Sequence, residues 1–224
     1  VALAALLVGN LLVFRRPLFQ GNFGVVDPDR VYRSAQPGKG FETLIREKRL
    51  ASVLNLRAGS PADPFYAEET RTTRELKVDF FDFPMSATQR PSRRELLVLL
   101  DLFKRCKYPL LIHCKQGSDR TGLVTALYLM AVRGQKPERA IKAFSLEYGH
   151  IPLFGTKHLH EPIDEYARWL KEQALPHTPE RFEDWVKRDY RSADPPAMFR
   201  PLRPGPREQV LSGSGRAKGE PSRR

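Results

Sequence analysis

The chain opens on an apolar run, Val1 to Phe14 (VALAALLVGNLLVF), in which Asn10 is the only strongly polar residue and which Arg15 and Arg16 close. Pro17 to Asp29 comes next as a polar link punctuated by Gly21, Gly24 and Pro28. Beyond it the period of the hydrophobic pattern alternates. Val31 to Ser34 reads as a short strand, and Phe41 to Leu50 has helical spacing with Leu44 and Ile45 on one face. Ala51 to Leu56 is a short apolar run that suits a buried strand. Tyr66 to Leu76 reads as a charged helix, and Val78 to Phe83 as an aromatic-rich strand ended by Pro84. Ser92 followed three residues later by Glu95 predicts the N-cap of a helix over Arg93 to Lys107, with Leu96, Leu99, Leu100 and Phe103 as its apolar stripe. Pro109 to His113 (PLLIH) is short, apolar and bounded by proline, as a fully buried strand would be. Apolar and amphipathic spacing predicts helices over Thr121 to Val132, Lys136 to Glu147, Glu161 to Gln173 and Pro179 to Tyr190. Strands alternating with helices imply an α/β layer architecture.

Composition narrows the class. With 224 residues, 41% of them hydrophobic and 29% charged, the chain is long enough for one globular domain with extensions. A net charge of +12 favours anionic partners: phosphate esters, acidic lipid headgroups or nucleic acid. RNA-binding aromatic motifs, zinc-finger spacings and basic heptads are all missing from the sequence, which disfavours nucleic acid. Two cysteines exclude a disulfide framework and offer no zinc cluster. Cys106 fits the helical apolar pattern and reads as a core residue.

Three readings of the first segment, residues 1–16, stay open: a membrane anchor that begins before Val1, the core of a signal peptide, or a buried helix. Fourteen residues fall short of the roughly 20 that span a bilayer. The flanking arginines favour a cytoplasmic face for the domain beyond them, so the expected location is anchored and facing the cytoplasm, or otherwise cytoplasmic. At the other end, Pro195, Pro196, Pro201, Pro204 and Pro206 with Arg216, Lys218, Arg223 and Arg224 mark residues 191–224 as a basic, disordered tail.

The chemistry concentrates in His113-Cys114-Lys115-Gln116-Gly117-Ser118-Asp119-Arg120-Thr121-Gly122. A buried strand delivers the chain to a loop with Gly117 inside it, and a helix starts directly after. That helix N-terminus aims free N–H groups and the positive end of its dipole at the loop, which makes an anion nest. Arg120 adds a planar fork for phosphate oxygens. Thiols in such fields ionise readily. Nucleophile, nest and arginine thus converge on one point, as phosphoryl transfer to cysteine requires. No Gly-Lys-Ser/Thr comes after the glycine, so the loop is not a nucleotide P-loop.

HCKQGSDRTG resembles the signature loop of the protein tyrosine phosphatase superfamily, His-Cys-x5-Arg-Ser/Thr. More narrowly, VYRSAQP (Val31 to Pro37), VLNLR (Val53 to Arg57) and YGHIP (Tyr148 to Pro152) resemble segments of the bacterial dual-specificity phosphatase-like family. The resemblance covers about Asp27 to Gln173, so residues 27–175 are expected to form the catalytic domain. It implies a central, mostly parallel sheet flanked by helices, a phosphocysteine intermediate, and neither metal nor other cofactor. It also implies roles: Cys114 attacks phosphorus, Arg120 and the backbone of Lys115, Gln116, Gly117 and Ser118 hold the phosphate, Lys115 adds charge at the mouth, the Thr121 hydroxyl bonds the sulfur, and His113 orients the loop. Arg33, Ser34 and Gln36 are candidates to support the loop, Arg57 to pair with a loop carboxylate, and His150 to approach the pocket.

The proton donor is the open point. In dual-specificity phosphatases an upstream loop carries an aspartate, but here Met85 to Pro91 (MSATQRP) has no carboxylate. Asp82 lies just before that loop, inside a strand pattern. Asp119 lies within the signature loop, where myotubularin lipid phosphatases also have an aspartate that is considered the acid. Asp119 is therefore the preferred acid and Asp82 the alternative. Expected substrates are phosphotyrosine or phosphoserine/threonine proteins, with phosphoinositides or inositol phosphates as the alternative. A non-catalytic phosphate-binding module and a sulfurtransferase remain as further readings.

Overall fold

The computed structural model describes residues 16–17, 20–153 and 155–191. The apolar run Val1 to Phe14 and the tail beyond Arg191 lie outside the described residues. Among those described, no helix is long and apolar enough to cross a membrane.

A five-stranded sheet forms the centre, in the order β1 (Gly24–Asp27), β2 (Val31–Ser34), β5 (Leu110–His113), β3 (Ser52–Asn55), β4 (Asp79–Asp82). The β1–β2 pair is antiparallel and the other pairings are parallel. The strand period of two sorts the side chains. Val31, Leu54, Leu110 and Ile112 face the larger core. Tyr32, Val53, Phe80 and Leu111 face the smaller one. Helices α1 (Phe41–Lys48) and α2 (Pro64–Glu75) cover the smaller core. The larger is closed by α3 (Arg93–Arg105), α4 (Asp119–Ala131), the short α5 (Pro137–Ala140), α6 (Glu161–Glu172) and α7 (Pro179–Arg188). The predicted capping box on α3 is present, with Ser92 Oγ accepting from Glu95 N–H at 3.1 Å and Glu95 accepting from Ser92 N–H at 2.7 Å.

The structure departs from the sequence expectation in two segments. The expected polar link contains β1, whose Val25 is exposed; antiparallel pairing with β2 makes it a strand without an apolar pattern. The expected helix over Lys136 to Glu147 stops after α5 and continues as 3-10 turns at Ile141–Ala143 and Leu146–Tyr148. Between them Phe144 is extended (φ −85°, ψ 109°), and its ring packs where a side chain on Gly122 would stand, 2.8 Å from that Cβ position. Packing against α4 therefore overrides the helical spacing. The packed unit also extends past 27–175: Asn22 at one end, and Phe182, Trp185, Val186 and Tyr190 at the other, are buried.

The parallel strands all end on one edge, at Ser34, Asn55, Asp82 and His113, in register across the sheet. Open α/β sheets bind ligands at that edge.

Candidate active site

β5 carries His113 to the sheet edge, and Cys114 comes next at the floor of a loop, 2% exposed. Gly117 turns the loop with φ +73°, and its N–H donates to Cys114 Sγ at 3.2 Å. No other residue fits there: a Cβ would stand 2.6 Å from the backbone of Ser34 and Ala35. The carbonyls of the loop are held from outside. Gln36 N–H donates to Lys115 O (3.2 Å), Asn22 Nδ2 to Gln116 O (2.8 Å) and Arg33 Nη2 to Gly117 O (2.7 Å). Successive carbonyls fixed on the convex side turn their peptide N–H groups inward, as Gly117 N–H does on the sulfur. Lys115 and Gln116 are exposed at the rim, while Gly117 and Ser118 are buried.

Arg33 is the principal brace. It is 1% exposed, donates also to Ala143 O (2.7 Å), and lies 3.8 Å from the centre of the Tyr148 ring. Burial pushes its guanidinium down to about 10, which leaves it charged at neutral pH; the nearby Tyr148 and Cys114 act in the opposite sense. Ser118 Oγ and Asn22 Nδ2 both donate to Tyr148 O, at 2.6 and 2.9 Å, tying the segment after α5 to the loop. Under the loop, His113 Nε2 lies 2.6 Å from Glu69 Oε1 on α2 without hydrogen-bond alignment, and Gln36 Nε2 donates to the other Glu69 oxygen at 2.7 Å. Among the described residues Arg57 pairs with no loop carboxylate: its guanidinium stacks 3.4 Å over Phe65 and reaches Gln36 Oε1 at 3.4 Å.

Arg120, in the first turn of α4, donates from Nη1 to Leu56 O (3.1 Å) and Met85 O (3.4 Å), so carbonyls after β3 and β4 fix its direction. The Thr121 hydroxyl is buried without a hydrogen-bond partner among the described residues, and the sulfur accepts from Gly117 N–H. Asp119 opens α4, and its Oδ1 lies 2.7 Å from His150 Nδ1. Asp82, buried, accepts from Asn55 Nδ2 (3.1 Å) and Tyr66 OH (3.0 Å).

Sequence reasoning missed Asn22, Glu69 and His160. Glu69 had a signal, since Glu69, Thr72 and Thr73 repeat at helical spacing and form the buried face of α2. Asn22 had none.

A family model described as Swiss Army Knife protein, DSP-PTPase phosphatase domain, matches residues 22–168. The chain belongs to this family. Its matched span takes in the whole Cys114 loop and the His150 segment. Among curated relatives, inositol diphosphatase DSP1 of Oryza sativa subsp. japonica is 32% identical over 111 residues, 46% of this chain and 46% of that protein. The chain thus matches about half the length of that relative. Solved structures share the fold of this DSP-PTPase domain. P. aeruginosa TpbA aligns with a TM-score of 0.51 at 21% identity, over 66% of this chain and 96% of that one. The core catalytic domain of the PP-IP phosphatase SIW14 from S. cerevisiae gives 0.51 at 21% identity, over 70% and 96%.

Proposed function

We propose that the chain hydrolyses phosphate monoesters through a phosphocysteine intermediate. The observation that carries this reading is the Gly117 N–H donated to Cys114 Sγ inside a loop whose carbonyls are tied outward by Gln36, Asn22 and Arg33. Such a cradle stabilises negative charge on the sulfur and on equatorial phosphate oxygens with the same groups. Cys114 attacks phosphorus as the thiolate while the ester P–O bond breaks, and the leaving oxygen takes a proton from Asp119. Water then attacks the phosphocysteine, gives a proton back to Asp119 and releases the thiolate. Arg120 holds two phosphate oxygens with its fork. Thr121, whose buried hydroxyl has no partner among the described residues, is assigned to the departing sulfur.

For the substrate, the open rim with exposed Lys115 and Gln116 supports a phosphorylated protein side chain, phosphotyrosine or phosphoserine/threonine. A second reading, an inositol phosphate or diphosphate, is favoured by the likeness to the rice inositol diphosphatase and by the net charge of +12.

Replacing Cys114 by Ser tests the first part. Hydrolysis of p-nitrophenyl phosphate should fall by on the order of 10⁴-fold or more, while vanadate binding persists; residual turnover near the wild-type rate would remove Cys114 from its role. A panel of phosphopeptides, phosphoinositides and soluble inositol phosphates, compared by kcat/KM, decides between the substrates.

A further inference from the structure

After Tyr148 the chain turns through Gly149 (φ 72°) and lays His150 against the N-terminus of α4. The imidazole is buried, with the residue 4% exposed. Its Nδ1 lies 2.7 Å from Asp119 Oδ1, and its Nε2 lies 2.8 Å from Nε2 of His160, the residue that precedes α6. Phe144 packs against both imidazoles, at 4.7 and 4.1 Å between ring centres, and closes this pair from the side. The ionisable groups facing the pair are Asp119 from α4 and Asp164 from the first turn of α6.

A nitrogen-to-nitrogen hydrogen bond needs one N–H and one lone pair, so the two rings cannot choose their tautomers independently. Burial, and then the neighbouring His150, push His160 below the ordinary histidine range, which keeps it neutral near pH 7. Its one N–H then either points at His150 Nε2 or leaves that contact to the proton of His150. With one proton on His150, only the first arrangement turns its N–H toward Asp119. The chain of donors becomes His160 Nε2–H to His150 Nε2, and His150 Nδ1–H to Asp119 Oδ1. One carboxyl oxygen is then fixed, and Asp119 Oδ2 has no hydrogen bond among the described residues.

We infer that His150 and His160 are positioning residues for Asp119: His160 locks His150 in the Nδ1–H tautomer, and His150 holds Oδ1 so that Oδ2 carries the proton to and from substrate. This rests on the reading of Asp119 as the acid. The roles are those of an orienting partner and the group it orients, two bonds removed from the reacting atoms.

The test uses the full chain with phenyl phosphate, a poor leaving group, and p-nitrophenyl phosphate, a good one. His160→Phe keeps a ring beside Phe144 but cannot donate; His160→Gln can donate to the same nitrogen. The Phe variant should lose about tenfold in kcat on phenyl phosphate, the low end of what loss of an orienting partner costs, with KM and the p-nitrophenyl phosphate rate little changed. The Gln variant should regain most of that loss. Nitrogen-15 shifts of His150 should report a single Nδ1–H tautomer in the wild type and a mixture in His160→Phe. Equal behaviour of the Phe and Gln variants overturns the inference, as does an Nε2–H tautomer at His150 in the wild type; the latter measurement stands even if the Phe variant does not fold. Asp119→Asn separates the two levels. If it spares phenyl phosphate hydrolysis, the acid assignment itself fails. If it abolishes that hydrolysis while the His160 variants match wild type, only the tautomer lock fails.

Discussion

Asp82 and Asp119 sit on the same functional edge of the sheet, yet their surroundings suit opposite tasks. Asp82 has a donor on each oxygen, Asn55 Nδ2 on Oδ1 and Tyr66 OH on Oδ2, and is buried. Both partners donate, so both oxygens of Asp82 serve as acceptors in a structural contact between β3, β4 and α2. Asp119 is partly exposed, is held on Oδ1 by an imidazole, and stands directly before Arg120. With no carboxylate in the loop from Met85 to Pro91, the neighbours of these two aspartates rather than the residue type carry the proposed division between a structural carboxylate and a general acid.

Exchanging the two carboxylates for amides is the strongest way to break that contrast. Asp119→Asn should lower kcat on phenyl phosphate by roughly 10²-fold or more, the usual share of a general acid, and cost far less on p-nitrophenyl phosphate. Asp82→Asn should leave the ratio of the two substrates unchanged and lower stability by about 1–3 kcal/mol, because an amide facing Asn55 and Tyr66 leaves a buried donor unmatched. A leaving-group dependence in the Asp82 variant alone, measured in the same assay, would reverse the assignment.

The same contrast divides what was legible in the sequence. Local signals were read well: the Ser92–Glu95 cap, the PLLIH strand and the glycine inside HCKQGSDRTG carry their structure in their own residues. The signature loop also brings its chemistry with it. What the sequence hid depends on contacts between distant segments. β1 exists because β2 pairs with it, and the segment from Ile141 to Tyr148 leaves the helix because Phe144 has a place against Gly122. Asn22 reaches the loop across 94 positions of sequence, and His160 matters only through His150. No periodicity encodes such meetings. For Arg33 the likeness of VYRSAQP to family members named the residue, and only the structure gave its partners.

Arg33 offers the next largest test, on the brace rather than the acid. Replacing it with Leu removes the guanidinium from Gly117 O and Ala143 O and leaves buried carbonyls without donors. A stability loss of about 2–4 kcal/mol is expected from losing charge-assisted hydrogen bonds, readable as a lower denaturant midpoint. Vanadate affinity should fall with it, since the loop loses its outward tether. Both substrates should suffer alike, in contrast to Asp119→Asn, because the cradle serves every leaving group equally.

The smallest effect concerns a half-buried imidazole, which sharpens the contrast by having no carboxylate within hydrogen-bond reach among the described residues. His177 meets Tyr166 OH at Nδ1 (3.1 Å) and Met130 O at Nε2 (3.2 Å), so its neutral form accepts at one nitrogen and donates at the other. Burial pushes it below the ordinary histidine range, against a smaller opposing pull from Met130 O. The unfolded chain then binds a proton at this site at a higher pH than the folded one does. Stability is undiminished above the ordinary histidine pKa of about 6.5 and declines as pH falls from there toward the lower folded-state value. His177→Gln should flatten that part of the stability-against-pH curve, measured by denaturant midpoints, while leaving the phenyl phosphate to p-nitrophenyl phosphate ratio at the wild-type value. A changed ratio would mean that the α6–α7 end of the core reaches the active site, and that His150 and His160 are not set apart from His177 by the carboxylate they face.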